Sequence, residues 1–186
     1  MEYLHVDDDI HLEKIKISHA RLIFDTINRD RRYLRQWLPF VDQTRKPEDT
    51  ESFIRQIQPQ TEIRHDNVYL IWYKGDFAGL AGFKDSDYIN RKTEIGYWLA
   101  EPMQGKGIMI RTVRKLVDFA FRNLQHNRIQ IKIATGNEKS EAIPRKIGFV
   151  LEGIERSGEF HGNHFHDLKI YSFLKKEWTE QLIRGF

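Results

Sequence analysis

Residues 104–109, QGKGIM, place two glycines around a lysine immediately ahead of a helical pattern. The first N–H groups of a helix have no partner within it, and a glycine has no Cβ to hold an anion away from the backbone. The junction therefore suits a phosphate. It is not a nucleotide P-loop, which needs G-x-x-x-x-G-K-[ST]: Ala100 stands at the first glycine position and Gly107 follows Lys106. Nor is it a dinucleotide fingerprint, because Ile110 occupies the third glycine position of G-x-G-x-x-G. Helix end and Lys106 each contribute about 0.3–1 kcal/mol toward an anion where exposed. A glycine-rich turn with no ligand is the plain alternative. A second cluster, HGNHFHD at 161–167, has enough ligands on paper for a metal in His161, His164, His166 and Asp167. Metal pairs usually stand at i, i+4 on a helix or beside thiolates, and Gly162-Asn163 is a hairpin turn, so a polar hairpin and no metal are expected.

The composition narrows the chemistry. The 186 residues include no cysteine, which removes disulfides, thiolate metal ligands and a cysteine nucleophile together. Thirty basic and 27 acidic residues are mixed along the chain for a net charge of +3, so no large single-sign field and no nucleic-acid partner is expected. The densest basic run, NRDRRYLRQW at 28–37, suits a solvated helix face; contact with a polyanion through Arg29, Arg31, Arg32 and Arg35 is the alternative. The first residues are acidic and lack an apolar core. No apolar run approaches the roughly 20 residues that span a bilayer. A cytoplasmic protein with no membrane partner follows, as one domain over residues 1–186. A homodimer is left open.

The elements that must position these residues follow from apolar spacing. Residues 10–17 suit a strand, with Ser18 an N-cap for a helix whose face is Leu22, Ile23 and Ile27. Pro47 suits a helix N1, followed by an apolar stripe of Phe53, Ile54 and Ile57. Strands are expected at 68–73 and 77–83, joined through Lys74-Gly75-Asp76, and again at 93–99. Met109, Val113, Leu116, Val117, Ala120 and Leu124 mark one buried helix face. Ile129, Ile131 and Ile133 alternate as a strand at 128–135. A short helix at 138–146 stops at Gly148. Strands at about 149–160 and 166–174 flank the histidine turn, and Trp37, Trp72 and Trp178 suit the core. The whole is an α/β (α+β) domain around a mixed, mostly antiparallel sheet.

Three segments and the glycine loop carry a family resemblance. Gln104-Gly105-Lys106-Gly107-Ile108-Met109 resembles the Q/R-x-x-G-x-G/A acetyl-CoA motif of the GNAT N-acetyltransferases, with Met109 where the motif has a small residue. EIGYWL before it, LRQWLPFVDQTRKPEDTESFI at 34–54 and GNEKSEAIPRKIGFVLEG at 136–153 are similar to the ribosomal-protein-serine (Rim-type) branch. The resemblance covers nearly the whole chain. It implies a sheet of about seven strands with a splayed central pair, flanked by helices. It also implies acetyl-CoA as co-substrate, its pantetheine arm along Trp98 and Leu99 and its diphosphate on residues 104–109. Asn137 and Ser140 match the branch's N-x-x-S near the thioester, although both also suit plain helix capping.

Acetyl transfer to an amine requires the neutral amine, a stabilised oxyanion and a proton for the leaving thiolate. Without cysteine, direct attack is expected rather than a thiol acyl-enzyme. An α-amine of pKa about 7.7–8.0 is roughly one-tenth neutral at pH 7, whereas a lysine amine costs about 4–5 kcal/mol to deprotonate there. A protein N-terminal α-amine thus needs only a modest base. The resemblance points to Glu94 as that base, since the splayed strand faces the acceptor; a strand glutamate paired with a lysine is the plain reading. Glu155 is a second carboxylate near the hairpin. Ser140 is the candidate proton donor, Tyr171 its alternative, and a backbone N–H near Tyr97 or Trp98 the oxyanion donor. The implied activity is N-acetylation of a ribosomal-protein-type N-terminus. A small amine such as a polyamine or aminoglycoside, and a non-catalytic acyl-CoA-binding module, are the alternatives.

Overall fold

Alternating side chains on the central strands bury both faces of a single sheet. In the computed structural model, which describes residues 2–57 and 66–184, Tyr69 and Ile71 of one strand join one apolar cluster while Leu70 between them joins the other. The strands are β1 (Tyr3–His5), β2 (Ile10–Lys14), β3 (Val68–Tyr73), β4 (Asp76–Asp87), β5 (Lys92–Leu99), β6 (Arg128–Ala134), β7 (Val150–His161) and β8 (His164–Leu174). They form one eight-stranded sheet in the order β1-β2-β3-β4-β5-β6-β8-β7. Every neighbouring pair is antiparallel except β5 and β6. The architecture is the expected mixed, mostly antiparallel one, with eight strands among the described residues where about seven are expected. The first, three residues long with a single buried side chain (Leu4), is too short for alternation to mark.

Helices cover the two faces unequally. On one side lies α4 (Ile108–Arg122), whose Val113, Leu116 and Ala120 are fully buried. It packs on Phe83, Ile95, Ile129 and Ile131, and α5 (Glu138–Ile147) adds Ile147 to the same cluster. On the other side are α1 (Ala20–Arg29), α2 (Arg31–Leu34) and α3 (Pro47–Ile57), which bury Ile23, Ile27, Leu34 and Ile54 with Leu70, Leu80 and Trp98. A last helix, α6 (Lys175–Arg184), follows β8. Among the described residues no helix is long and apolar enough to cross a membrane.

Three local expectations change. Ser18 is not an N-cap: Ile17–His19 form a 3₁₀ turn first, and α1 begins after His19 with no side-chain cap. Leu22 and Phe53 are exposed, so the buried stripes of α1 and α3 are narrower than the spacing suggests. The run at 28–37 is not one helix. Asp30 interrupts it, pairing with Arg29 at 2.7 Å, while Arg31 donates to the carbonyls of Val41 and Thr44 and Arg35 pairs with Asp42 at 3.1 Å. Three of the four arginines thus serve the chain's own turns. At the far edge, β7 and the β8 start expose Val150, Ile154, Phe160 and Phe165.

Candidate active site

The parallel pair supplies the site. β5 and β6 run together only where residues 92–94 face 128–130; beyond Glu94 and Gln130 no pairing continues and the strands part. Over the fork, on the α1–α3 side, opens a cavity of about 1010 Å³. Alternation turns Glu94, Gly96 and Trp98 of β5 toward this side, opposite Lys84, Gly82 and Leu80 of β4. Glu94 lies at the point of the fork and is 3% exposed. One carboxylate oxygen accepts from Lys84 Nζ at 2.7 Å and the other from Gln130 Nε2 at 3.0 Å. The glutamate is therefore lysine-paired, as its plain reading has it, yet buried on the cavity wall rather than exposed.

Across the fork stands Ser140, in the first turn of α5. Asn137 caps this helix, its Oδ1 accepting from the Ser140 N–H at 3.2 Å, so the capping alternative is realised. Four residues on, Pro144 has no N–H to give back, which strips the Ser140 carbonyl of its helical donor. The Tyr97 hydroxyl donates to that carbonyl at 3.2 Å and accepts from Ser140 Oγ at 3.2 Å. Burial pushes the Tyr97 phenol up to about 12, with the Ser140 contact pulling the other way, so it remains a protonated donor at neutral pH. Tyr97, Ser140 and Asn137 all line the cavity. The sequence signal for this pair is a proline four residues after the serine, which spacing rules for helices and strands pass over.

The glycine loop leaves the far end of β5. Gly105 (φ 74°) and Gly107 (φ 68°) both occupy the left-handed region, and Gly107 is the N-cap of α4, with no side-chain cap. A Cβ built on either glycine meets no atom within 4 Å, so the space before the helix N-terminus is clear of the chain itself. That fits a diphosphate resting on backbone N–H groups. Ile108 and Met109 are buried in the core, which leaves only their backbone to face the loop and explains why a large residue is tolerated at 109. Gln104 accepts from Lys139 Nζ at 3.0 Å, tying the loop to α5, and Lys106 lies over the Tyr73 ring. Trp98 faces the cavity, whereas Leu99, next along the strand, packs against the α4-side cluster.

The remaining candidates separate. Glu155 pairs with Lys132 at 2.8 Å and is not on the cavity wall, where the hairpin carboxylate is Glu159. Tyr171 is also off the wall, its hydroxyl donating to Glu141 at 2.6 Å; burial, then Glu141, push it up to about 12. The His164 and His166 rings lie tilted with centroids 4.1 Å apart, while Asp167 accepts from the Ser157 N–H at 2.8 Å within the hairpin. Among the described residues no group of three or more His, Asp or Glu is arranged to hold a metal.

Residues 9–150 match the family described as acetyltransferase (GNAT) domain. The chain belongs to the GNAT acetyltransferase family. Its GNAT relatives include "Putative ribosomal N-acetyltransferase YdaF" of Bacillus subtilis (strain 168), 35% identical over 177 residues, covering 93% of this chain and 95% of the relative. The ribosomal-protein-serine acetyltransferase of Escherichia coli (strain K12) is 24% identical over 171 residues, 92% of this chain and 96% of that protein. Among solved GNAT structures, RimL, the ribosomal L7/L12 alpha-N-protein acetyltransferase in complex with coenzyme A, superposes with a TM-score of 0.89 at 26% identity, covering 95% of this chain and 99% of that one. These are the names of the branch that the sequence resembles.

Two features of this GNAT site come from distant segments. Asp30, 5% exposed at the end of α1, accepts from the Glu101 N–H at 2.9 Å and so holds the exit of β5; the Arg29 guanidinium keeps its carboxyl below the usual range. Trp37, expected in the core, is half-buried and lines the cavity, its ring edge 3.8 Å from the Cβ position of Gly136 across the fork. Neither contact has a local pattern to reveal it.

Proposed function

We propose that this GNAT enzyme transfers an acetyl group from acetyl-CoA to a protein N-terminal α-amine of the ribosomal-protein type, by direct attack in a ternary complex. The observation that carries the reading is the fork: two strands that separate immediately past a buried carboxylate, with a glycine cradle open to a ligand at the other end of the same strand. Acetyl-CoA supplies the activated thioester. The N–H groups at the start of α4, with Gly105 and Gly107, hold its diphosphate, and Trp98 borders the channel.

Glu94 takes a proton from the acceptor ammonium, directly or through one water, leaving the neutral amine to attack; Lys84 and Gln130 keep its carboxylate oriented toward the cavity. Ser140 Oγ, held by the Tyr97 hydroxyl, turns its proton to the departing thiolate and regains one from the second proton that the amine nitrogen sheds as the amide forms. The cavity lining holds the carboxylates of Asp66, Asp85, Glu94 and Glu159 against Lys84 and Lys132, a balance that favours a cationic acceptor. Trp37, Pro39, Phe40 and Phe53 add apolar surface suited to peptide side chains rather than to a bare polyamine.

An acceptor screen over N-terminal peptides, polyamines and aminoglycosides, read by thiol release, tests the substrate class. Turnover confined to polyamines or aminoglycosides would replace the peptide reading. For the base, Glu94→Gln is expected to lower kcat by about 10²-fold and to flatten the pH profile. If instead Glu159→Gln shows that change and Glu94→Gln behaves like wild type, the base is on the hairpin.

A further inference from the structure

Gly96 is a glycine that the fold does not require. It stands in the middle of β5, and its φ is outside the left-handed region that favours glycine. A Cβ added there meets only the flexible end of Lys84, at 3.7 and 3.8 Å, which is ordinary contact. Glycine inside a strand costs stability relative to alanine, so neither backbone nor packing explains it. Its cross-strand partner differs. Gly82 pairs with Gly96, and a Cβ at Gly82 would lie 2.4 Å from the Asn67 carbonyl oxygen, so there the close approach of β3 demands glycine.

The pair leaves a patch of cavity floor with no side chain of its own, bordered by the stem of Lys84. On one side of it stand Leu80 and Trp98, on the other Lys84 and Glu94, each pair two residues along the ladder. Glu94 and Trp98 are roughly 13 Å apart along the strand, four residues at about 3.3 Å, and the only positions between them on this face are the two glycines. Gly82 is buried while Gly96 is partly open to the cavity.

We propose that Gly96 determines acceptor specificity: its missing side chain forms the slot in which the carbon bearing the acceptor amine lies against β5, next to Glu94. This rests on the acetyl-transfer reading above. A side chain at 96 occupies the slot directly. It leaves the glycine loop untouched, because residues 104–107 lie beyond the end of β5. The class of acceptor the slot admits is an amine on an unhindered carbon, such as the N-terminal residue of an extended peptide with a small side chain.

The experiment compares wild type with Gly96→Ala and Gly96→Val, with Gly82→Ala as the packing control. For Gly96→Ala, kcat/KM for the peptide acceptor is expected to fall roughly tenfold or more, and further for Gly96→Val. The KM for acetyl-CoA stays at its wild-type value, and the melting temperature stays at or above wild type. Within each variant the loss is smallest for peptides that begin with glycine. Gly82→Ala instead lowers the melting temperature. Wild-type acceptor kinetics in Gly96→Val overturn the proposal, as does a loss that appears in the KM for acetyl-CoA instead of the acceptor. A wild-type enzyme inactive on every amine, yet shifted in melting by acetyl-CoA, overturns the acetyl-transfer reading and the slot together. Wild-type turnover with unaltered Gly96 variants sinks the slot alone.

Discussion

A proline inside a helix is the least expected contributor to the site. Pro144 denies the Ser140 carbonyl its helical hydrogen bond, and the Tyr97 hydroxyl takes the vacancy, so a backbone defect in α5 becomes a link to β5. Pro144→Ala restores the helical donor and removes a residue that costs a helix interior about 3 kcal/mol. It also competes the Tyr97 hydroxyl away from its acceptor, and an unsatisfied buried hydroxyl costs about 1–3 kcal/mol. The two effects oppose each other, so a small change in melting temperature is expected. At saturating substrates, however, kcat falls by about tenfold or more, with the KM for acetyl-CoA nearly unchanged. Steady-state kinetics on Pro144→Ala, with Tyr97→Phe beside it, check this: equal kcat in all three proteins would mean that the Tyr97–Ser140 pair is structural only.

At the scale of elements, the loop and the sheet edge make separate demands. Gly107 has φ 68° at the start of α4, a conformation that costs an L-residue about 1–2 kcal/mol. Gly107→Ala should lose about that much stability and, in addition, raise the KM for acetyl-CoA, because its Cβ enters space that no protein atom occupies. Denaturant melts without ligand and acetyl-CoA saturation curves separate the two losses. On the other edge, Glu152 of β7 accepts from Arg128 of β6 at 2.6 and 2.5 Å and from Ser172 of β8 at 2.7 Å, tying three strands together. The Arg128 hydrogen bond, opposed by burial and reinforced by Ser172, holds the Glu152 carboxyl down at about 2 from 4.5. A depressed carboxylate contributes stability that is fully present above about 4.5 and lost as pH falls through about 2. Because the pair is partly exposed, the contribution is modest. Melting temperatures of wild type and Glu152→Gln are therefore expected to differ above pH 4.5 and to converge toward pH 2.

Taken whole, the molecule divides its sheet between two tasks. The α4 side is a continuous apolar core, whereas the α1–α3 side gives up part of its packing to the cavity. A ligand that enters the fork and the loop binds only the folded state. At 100 times its dissociation constant, acetyl-CoA should add about 2.7 kcal/mol, a rise of roughly 5–10 °C in melting temperature for a chain of this size. Thermal melts with acetyl-CoA and with free CoA measure it, and no shift with either ligand would remove the co-substrate from the reading.

The sequence by itself determined the parts whose physics is local. Two glycines before an amphipathic helix, the apolar runs of β3 and β5, alternation in β6 and the αL stop at Gly148 all depend on neighbours a few residues away. The glycine loop, most strand positions and the family likeness were legible for that reason. What only the tertiary structure decided is the company each site residue keeps. Glu94 was visible, but Lys84 and Gln130, which orient it, reach it by cross-strand pairing over 10 and 36 residues. Asp30 meets Glu101 across 71 residues, and Glu159 rather than Glu155 lines the wall through the bulges between β7 and β8, where the register shifts. Such contacts depend on register and on where strands part, and a period of two in the side chains states which face a residue takes without stating what lies opposite.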